Sequence, residues 1–314
     1  MNKKVFIDGA AGTTGLEIRE RLATRADLAV IRLDEAERKD PRARARALND
    51  AGVVILCLPD DAAREAVALI ENPQTRVIDA SSAHRVAPGW VFGFPEFEPG
   101  NYDAIAAAKR VSNPGCWSTG FLALVRPLVR AGLVPADAAL SAHGISGYSG
   151  GGKAMIEEFE KTDSPAHVET VARAYAMQLA HKHVPEMTQR AGLKYAPVFA
   201  PYVGRYYRGM IVEVPLHLRL LPGTPTVSDL HAALADAYRG RPLVEVASLA
   251  EAAAVKSLDA EALRGTNRIK LYVFGNAGQA RLTAVLDNLG KGASGAAVQN
   301  LNIMLGLPET TGLV

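Results

Sequence analysis

Short apolar runs alternate with helix-spaced stretches through the first third of this chain. Val5–Ile7 is apolar and leads into glycines at positions 9, 12 and 15. Leu16–Ala23 then offers Leu16, Ile18 and Leu22 for the buried face of a helix. Leu28–Leu33 and Val53–Leu58 read as the second and third strands. Asp60–Ile70 reads as a helix capped near Asp60 or Asp61, and Arg76–Asp79 as a further strand. Strands and helices alternating at this pace predict a parallel sheet covered on both faces, a Rossmann-like arrangement within an α/β protein.

The pattern changes after Cys116. Ser118–Ala131 predicts a long helix stopped by Gly132 and Pro135, and Ala138–Ser146 a strand running into SGYSGGGK. Met210–Leu220 alternates, with Ile211, Val214, Leu216, Leu218 and Leu220 among polar neighbours; Arg268–Phe274 and Ala280–Asp287 read the same way. Such strands suit an antiparallel or mixed sheet with one packed face, the centre of a second, α+β domain. A last helix over roughly 294–305 carries Ala297, Leu301 and Leu305 four residues apart. The best single boundary falls near residue 112.

With 314 residues, 48% hydrophobic and 22% charged, the chain can form two globular domains. Lysine and arginine (35) nearly balance aspartate and glutamate (33), so nothing calls for a nucleic-acid or membrane partner. The basic run from Arg38 to Arg46 reads as a solvated helix face. Two cysteines make no disulfide framework, and the N-terminal apolar run stops at Asp8, too soon for a secretory segment. A reducing cytoplasm is the expected home.

FIDGAAGTTGLEI spaces Gly9, Gly12 and Gly15 as G-x-x-G-x-x-G, a variant of the dinucleotide fingerprint. Such a turn brings backbone N–H groups and a helix N-terminus up to a pyrophosphate, with Thr13 and Thr14 as hydroxyl donors. By itself it would be a plain strand–helix turn, but here it opens a βαβ pattern. Further on, Asp34 and Glu35 would suit a ribose 2′-hydroxyl, whereas Arg32, Arg38 and Lys39 would suit a 2′-phosphate. The residues leave NAD and NADP both open, with a lean to NADP from the basic cluster.

SNPGCWSTG places Cys116 after a Pro-Gly turn and at the start of a helical run. A sulfur at a helix N-terminus is favoured as thiolate, and Ser112, Asn113, Ser118 and Thr119 make its setting polar. Cys57, inside an apolar run, reads as inert packing. Of the seven histidines, His181 and His183 in HKHVPEM stand out as partners for a nucleophile. Pro185 disfavours helix at Val184, which predicts an extended segment with both imidazoles on one face. No fourth ligand lies at a zinc-site spacing, so a metal is the minority reading. His143, His217 and His231 read as structural. DASSAHR (79–85) and SGYSGGGK (146–153) each read either as an anion-binding loop or as an ordinary turn or loop.

GAAGTTG, DASSAHR, FGFPEF, SNPGCWSTG, HGISGYSGGGK, HKHVPEM and DNLGKGASGAAVQNLNIMLG, in this order and over essentially the whole chain, resemble the shorter second type of N-acetyl-γ-glutamyl-phosphate reductase. That family is similar in architecture to aspartate-semialdehyde and glyceraldehyde-3-phosphate dehydrogenases. The resemblance implies reduction of an acyl phosphate by NADPH through a thioester on Cys116, with the acid/base histidine at His183 or, second, His181. It implies Asn288 near the nicotinamide and a C-terminal helix returning to the nucleotide domain. The domains would then be 1–112 with about 289–314, and 113–288. Arg85 and the Ser146–Gly147 loop, with Ser82 and Asn113, are the expected substrate contacts, and a dimer or tetramer is the expected assembly. One departure is Cys-Trp-Ser-Thr, where many members follow the cysteine with Tyr-Pro-Thr. The competing readings are a reductase of a related acyl phosphate, aspartyl or carrier-protein-linked aminoadipyl or glutamyl phosphate, and a non-catalytic NADP-binding sensor.

Overall fold

β-Branched and aliphatic residues in uninterrupted runs build the first sheet, because strands covered on both faces have no polar side to show. A computed structural model describes residues 3–313. It divides the chain into one unit that runs to Pro114 and resumes at Ala293, and a second spanning Gly115–Gly292. In the first unit β1 (Lys4–Asp8), β2 (Ala29–Ile31), β3 (Val53–Leu56), β4 (Arg76–Asp79), β5 (Val91–Phe92) and β6 (Arg110–Ser112) form one parallel sheet. Its order is β2-β1-β3-β4-β6-β5. All four residues of β3 are buried.

The accompanying helices are α1 (Thr13–Ala23), α2 (Glu35–Lys39), α3 (Pro41–Asp50), α4 (Asp60–Ala68) and α5 (Asn101–Ala107). Two expectations change here. The basic run is not one solvated helix face: Asp40 caps α3 with Pro41 at its first position, which splits the run, and Arg44 reaches Asp8 at 2.8 Å. Asp60 does not cap α4 either. Pro59 holds that position without a side-chain bond, while the Asp60 carboxylate accepts the Ser82 N–H at 2.9 Å.

The second unit begins with α6 (Cys116–Arg130) and continues through β7 (Ser141–Gly147), α7 (Gly152–Glu160), β8 (Ala172–Ala174) and α8 (His183–Ala191). Next come β9 (Val198–Gly204), β10 (Met210–His217), α9 (Val227–Ala237), β11 (Val244–Val246), α10 (Leu249–Ala254), β12 (Ile269–Gly275) and β13 (Gln279–Leu286). The mixed sheet runs β11-β12-β13-β10-β7-β9-β8. Val212, Val214 and Leu216 of β10 are buried, and α6 lies so close that a Cβ on Gly120 would stand 2.6 Å from Val212. The alternation stops at His217, because Leu218–Leu220 tightens into a 3₁₀ turn and leaves Leu220 69% exposed.

The chain then enters α11 (Gly295–Met304), part of the first unit, where it packs on α1, α5 and β4. Every residue of α11 is buried, so it has no polar face. Its amides are satisfied instead: Asn300 donates to the Gly93 carbonyl at 2.8 Å, Gln299 to Glu96 at 3.0 Å, and Asn302 accepts from Arg25 at 2.9 Å. Among the described residues no helix is long and apolar enough to cross a membrane.

Candidate active site

The glycine turn of the first unit owes its glycines to two close approaches. Gly9 has φ +85°, and a Cβ there would stand 2.3 Å from the Cys57 carbonyl oxygen; one on Gly15 would stand 2.5 Å from that of Gly9. Gly12 has room for a Cβ and serves as the N-cap of α1, with no side-chain bond closing that end. The first N–H groups of α1, at Thr13 and Thr14, are therefore uncapped, which suits an anion.

Beside the turn lies a cavity of about 520 Å³ lined by Gly9, Ala10, Arg19, Arg32, Arg38 and Arg44 among others. Arg38 is exposed and its Nε donates to the Asp34 carbonyl at 3.2 Å. The Asp34 carboxylate is engaged in a capping box with Glu37, accepting its N–H at 2.8 Å. Of the two acids that would have suited a ribose hydroxyl, Asp34 is thus occupied as a cap, while arginines line the cavity. The residues fit a dinucleotide bearing a 2′-phosphate.

DASSAHR folds as a tightly bonded turn at the end of β4. Asp79, fully buried, accepts from the Ser81 N–H at 2.9 Å and hydroxyl at 2.8 Å, and lies 2.6 Å from His84 Nδ1. His84 stacks on Trp90 at 4.1 Å. Ser82 gives both its N–H and its hydroxyl to Asp60, and Arg85 is buried beside it. Asn113 is braced within the same unit: its Nδ2 donates to Ala293 at 2.9 Å and its Oδ1 accepts from Asn300 at 3.1 Å. Cys57 sits just past β3, where burial, with Asp79 and Asp8 adding to it, pushes its thiol up to about 12. It is inert as a nucleophile at neutral pH.

In the second unit Cys116 is the first residue of α6, and Gly115 caps that helix without a side-chain bond. Cys116 is the one partly exposed residue between Val111 and Val125. Glu186, 1% exposed, holds the turn on both sides of it: Oε1 accepts the Gly115 N–H at 2.9 Å and Oε2 the Ser118 hydroxyl at 2.8 Å. Gly292 covers Cys116 from another side, since a Cβ on Gly292 would stand 2.6 Å from the Cys116 Cβ.

The histidine segment is not extended, as the proline rule suggested. His183 is the first residue of α8 and Pro185 the third, where its missing N–H would have had no helical partner. Burial of Val184, Met187 and Ala191 stabilises the helix against the preference at Val184. His183 and Glu186 lie three residues apart on one helix, hence on one face. His181 precedes the helix, and its Nδ1 accepts the His183 N–H at 3.2 Å, so its neutral form carries the proton on Nε2. The two rings meet edge-on at 4.7 Å. No three His, Cys, Asp or Glu side chains gather as a metal site among the described residues.

Ser146 and Gly147 end β7; Ser146 is 4% exposed and a Cβ on Gly147 would stand 2.6 Å from the Tyr207 carbonyl. Asn288 clips this loop to the β9–β10 connection: its Nδ2 donates to the Ser149 hydroxyl at 2.9 Å and its Oδ1 accepts the Gly209 N–H at 2.7 Å. Glu186 and Gly292 escaped the sequence reading. Glu186 was within reach of it only through its three-residue spacing from His183, a signal that counts once the segment is helical.

Residues 4–105 match the semialdehyde dehydrogenase NAD binding domain and residues 116–288 the semialdehyde dehydrogenase dimerisation domain. The chain is 54% identical over 311 residues to N-acetyl-gamma-glutamyl-phosphate reductase 2 of Pseudomonas putida, covering 98% of each. It is 55% identical over 304 residues to N-acetyl-gamma-glutamyl-phosphate reductase of Burkholderia cenocepacia, covering 96% of this chain and 97% of that one. Among solved structures, aspartate semialdehyde dehydrogenase II of Vibrio cholerae superposes with a TM-score of 0.72 at 15% identity, over 98% of this chain and 99% of that one. The Candida albicans aspartate semialdehyde dehydrogenase with NADP gives 0.67 at 14%, over 96% and 98%. At such identities the structural likeness speaks for the fold.

Proposed function

The chain belongs to the N-acetyl-gamma-glutamyl-phosphate reductase family, and from that premise we propose that Cys116 is its nucleophile and His183 its acid/base group. The reaction is NADPH-dependent reductive dephosphorylation of N-acetyl-γ-glutamyl phosphate to N-acetylglutamate semialdehyde, a step of arginine biosynthesis. The observation that carries the residue roles is the grip of Glu186 on Gly115 and Ser118, with His183 one turn away on the same helix.

His183 takes the thiol proton, and the Cys116 thiolate attacks the acyl carbon. The bond from that carbon to the phosphate oxygen breaks, and phosphate leaves with the electron pair, so a thioester forms on Cys116. NADPH would be held along Gly9–Gly15 and by the arginine-lined cavity, with Arg38 the candidate partner of its 2′-phosphate, and would supply the hydride. Hydride addition leaves an alkoxide on the Cys116 adduct; as it collapses the carbon–sulfur bond breaks, aldehyde departs, and His183 returns the proton it took to the departing Cys116 sulfur. Proton handling of this kind is typically worth ~10²–10⁴-fold in rate. Arg85 and the Ser146–Gly147 loop, with Ser82 and Asn113, are the proposed substrate contacts and Asn288 the proposed nicotinamide contact; Ser82 also braces the Arg85 turn through Asp60, and Asn288 the loop after Ser146–Gly147 through Ser149.

The assembly we propose is a homo-oligomer formed through the second unit, the region matched as a dimerisation domain. Exposed Val171, Met177 and Leu179 in that unit offer apolar surface for it. A monomer by light scattering at micromolar concentration would overturn this. A reducing cytoplasm agrees with two free cysteines. The deciding assay is NADP reduction by N-acetylglutamate semialdehyde with phosphate or arsenate, with aspartate semialdehyde as the competing substrate. Cys116→Ser should abolish it while NADPH binding persists. Retained turnover would remove Cys116 from its role.

A further inference from the structure

Asp287 opens the motif DNLGKGASG and is wholly buried, directly after β13. An ionised carboxylate offers about four lone-pair sites, and here each oxygen accepts twice. Oδ1 accepts the N–H groups of Leu289 and Gly290 at 2.8 and 3.0 Å, which closes a turn on its own backbone. Oδ2 accepts the Gly265 N–H at 2.5 Å and Arg208 Nε at 2.7 Å, which ties that turn to two distant stretches of chain. The Asp287 carbonyl in turn accepts the Gly292 N–H at 3.0 Å, and the chain winds as a π-helix over Gly290–Ser294. Such wide turns are rare and frequently mark functional sites. This one is wedged in place. A Cβ on Gly290 would collide with the Thr266 carbonyl oxygen, and one on Gly292 would stand 2.6 Å from the Cys116 Cβ.

We propose that Asp287 is a positioning residue for Cys116: its carboxylate, paired with Arg208, locks the turn that presses Gly292 against the cysteine and so sets where the sulfur stands. The inference rests on the reading of Cys116 as nucleophile. An acid is needed at this place because four donors converge on it, one of them cationic. An isosteric amide cannot serve them all, since it has one acceptor oxygen and turns its NH2 towards two N–H donors. The ion pair with Arg208, whose side chain is 15% exposed, offsets the cost of burying the charge. Two buried carboxylates thus divide the work around the cysteine. Glu186 holds the chain on either side of it, and Asp287 holds the glycine that covers it.

Asp287→Asn keeps the size of the side chain but sets its NH2 against the Gly265 and Arg208 donors. Its kcat, counted per Cys116 thiol titrated with iodoacetamide, should fall about 10–100-fold, the scale of a reacting group misplaced by about 1 Å. NADPH affinity and both KM values should hardly change, with circular dichroism as the folding control. The deciding measurement is a double-mutant cycle with Gly292→Ala. Because Asp287 acts through Gly292, the double variant should lose little more than the worse single variant. Losses that multiply overturn the proposal. So does a per-thiol kcat near wild type in Asp287→Asn, which would leave the carboxylate with stability alone. If Asp287→Asn does not fold, Arg208→Gln spares the three backbone bonds and should show a smaller per-thiol loss with the same non-additivity. A per-thiol kcat near wild type in that variant, or a loss that takes the form of a raised KM for the acyl phosphate, also overturns the proposal. If Cys116→Ser retains turnover, the underlying reading fails; if it is dead while Asp287→Asn is fully active per thiol, only the role of Asp287 fails.

Discussion

The Glu186 carboxylate binds the Ser118 hydroxyl at 2.8 Å while its other oxygen holds the Gly115 N–H at 2.9 Å, so one buried anion fixes the residues on either side of Cys116. A carboxylate beside a helix start also competes with a thiolate for the same positive end. Two opposite effects follow on substitution. Glu186→Gln removes a negative charge next to the sulfur, so the Cys116 thiol becomes more acidic and its alkylation midpoint moves to lower pH. The same change loosens the turn, and kcat should fall roughly 10–100-fold, the kinetic equivalent of a lost charge-assisted hydrogen bond. An unchanged midpoint would remove Glu186 from the electrostatics of the cysteine.

Gly292 is required by contact. A methyl group there would sit 2.6 Å from the Cys116 Cβ and 3.1 Å from its Cα, with the Asp287 carbonyl at 3.2 Å behind it. Gly292→Ala should displace the sulfur and cost on the order of 10²-fold in kcat, as misplacement of a reacting group by about 1 Å does. NADPH affinity, read by fluorescence titration, should hardly change.

Cofactor preference should follow Arg38. With Asp34 engaged as a helix cap, the arginines of the cavity are the groups available to a 2′-phosphate. Arg38→Ala should lower kcat/KM for NADPH by roughly 10–100-fold, the range for one charge-assisted bond, and leave NADH nearly untouched. Equal losses with both cofactors would place the phosphate elsewhere.

Asp27 offers a pH test of the first unit. The hydrogen bond from Arg25 holds its carboxyl below the ordinary value of 3.8, and Arg25 also reaches Asn302 at 2.9 Å and the Thr311 carbonyl at 3.2 Å. A depressed acid contributes stability above its unfolded pKa and loses it as pH falls through its folded one. Asp27→Asn should therefore melt below wild type at pH 7, with the gap closing below pH 3.8. The carboxylate is 36% exposed, so screening keeps the gap small, roughly 1–3 °C by calorimetry.

Much of this protein was legible along the chain. The apolar runs located both sheets, because burial on one or two faces is written directly into local periodicity. The glycine spacing and the contrast between Cys116 and Cys57 were equally local: a turn, a helix start and a polar neighbourhood are short-range facts. The helix at His183 departs from the extended segment that Pro185 suggests, for an informative reason. The proline rule describes a preference of the preceding residue, yet in a first turn the missing N–H has no helical partner, and buried Met187 and Ala191 outweigh that preference.

What the tertiary structure alone decided is which polar atom meets which. Glu186 lies 71 residues from Gly115, and Asn288 lies 139 from Ser149. No pattern of local spacing encodes such pairings, because they arise only when packing brings distant backbone together and buried donors must find acceptors. The same necessity turned Asp34 and Asp60 away from their expected roles. Local pattern was enough for the type of fold and for a cysteine at a helix start in a polar turn; packing decided what surrounds that cysteine.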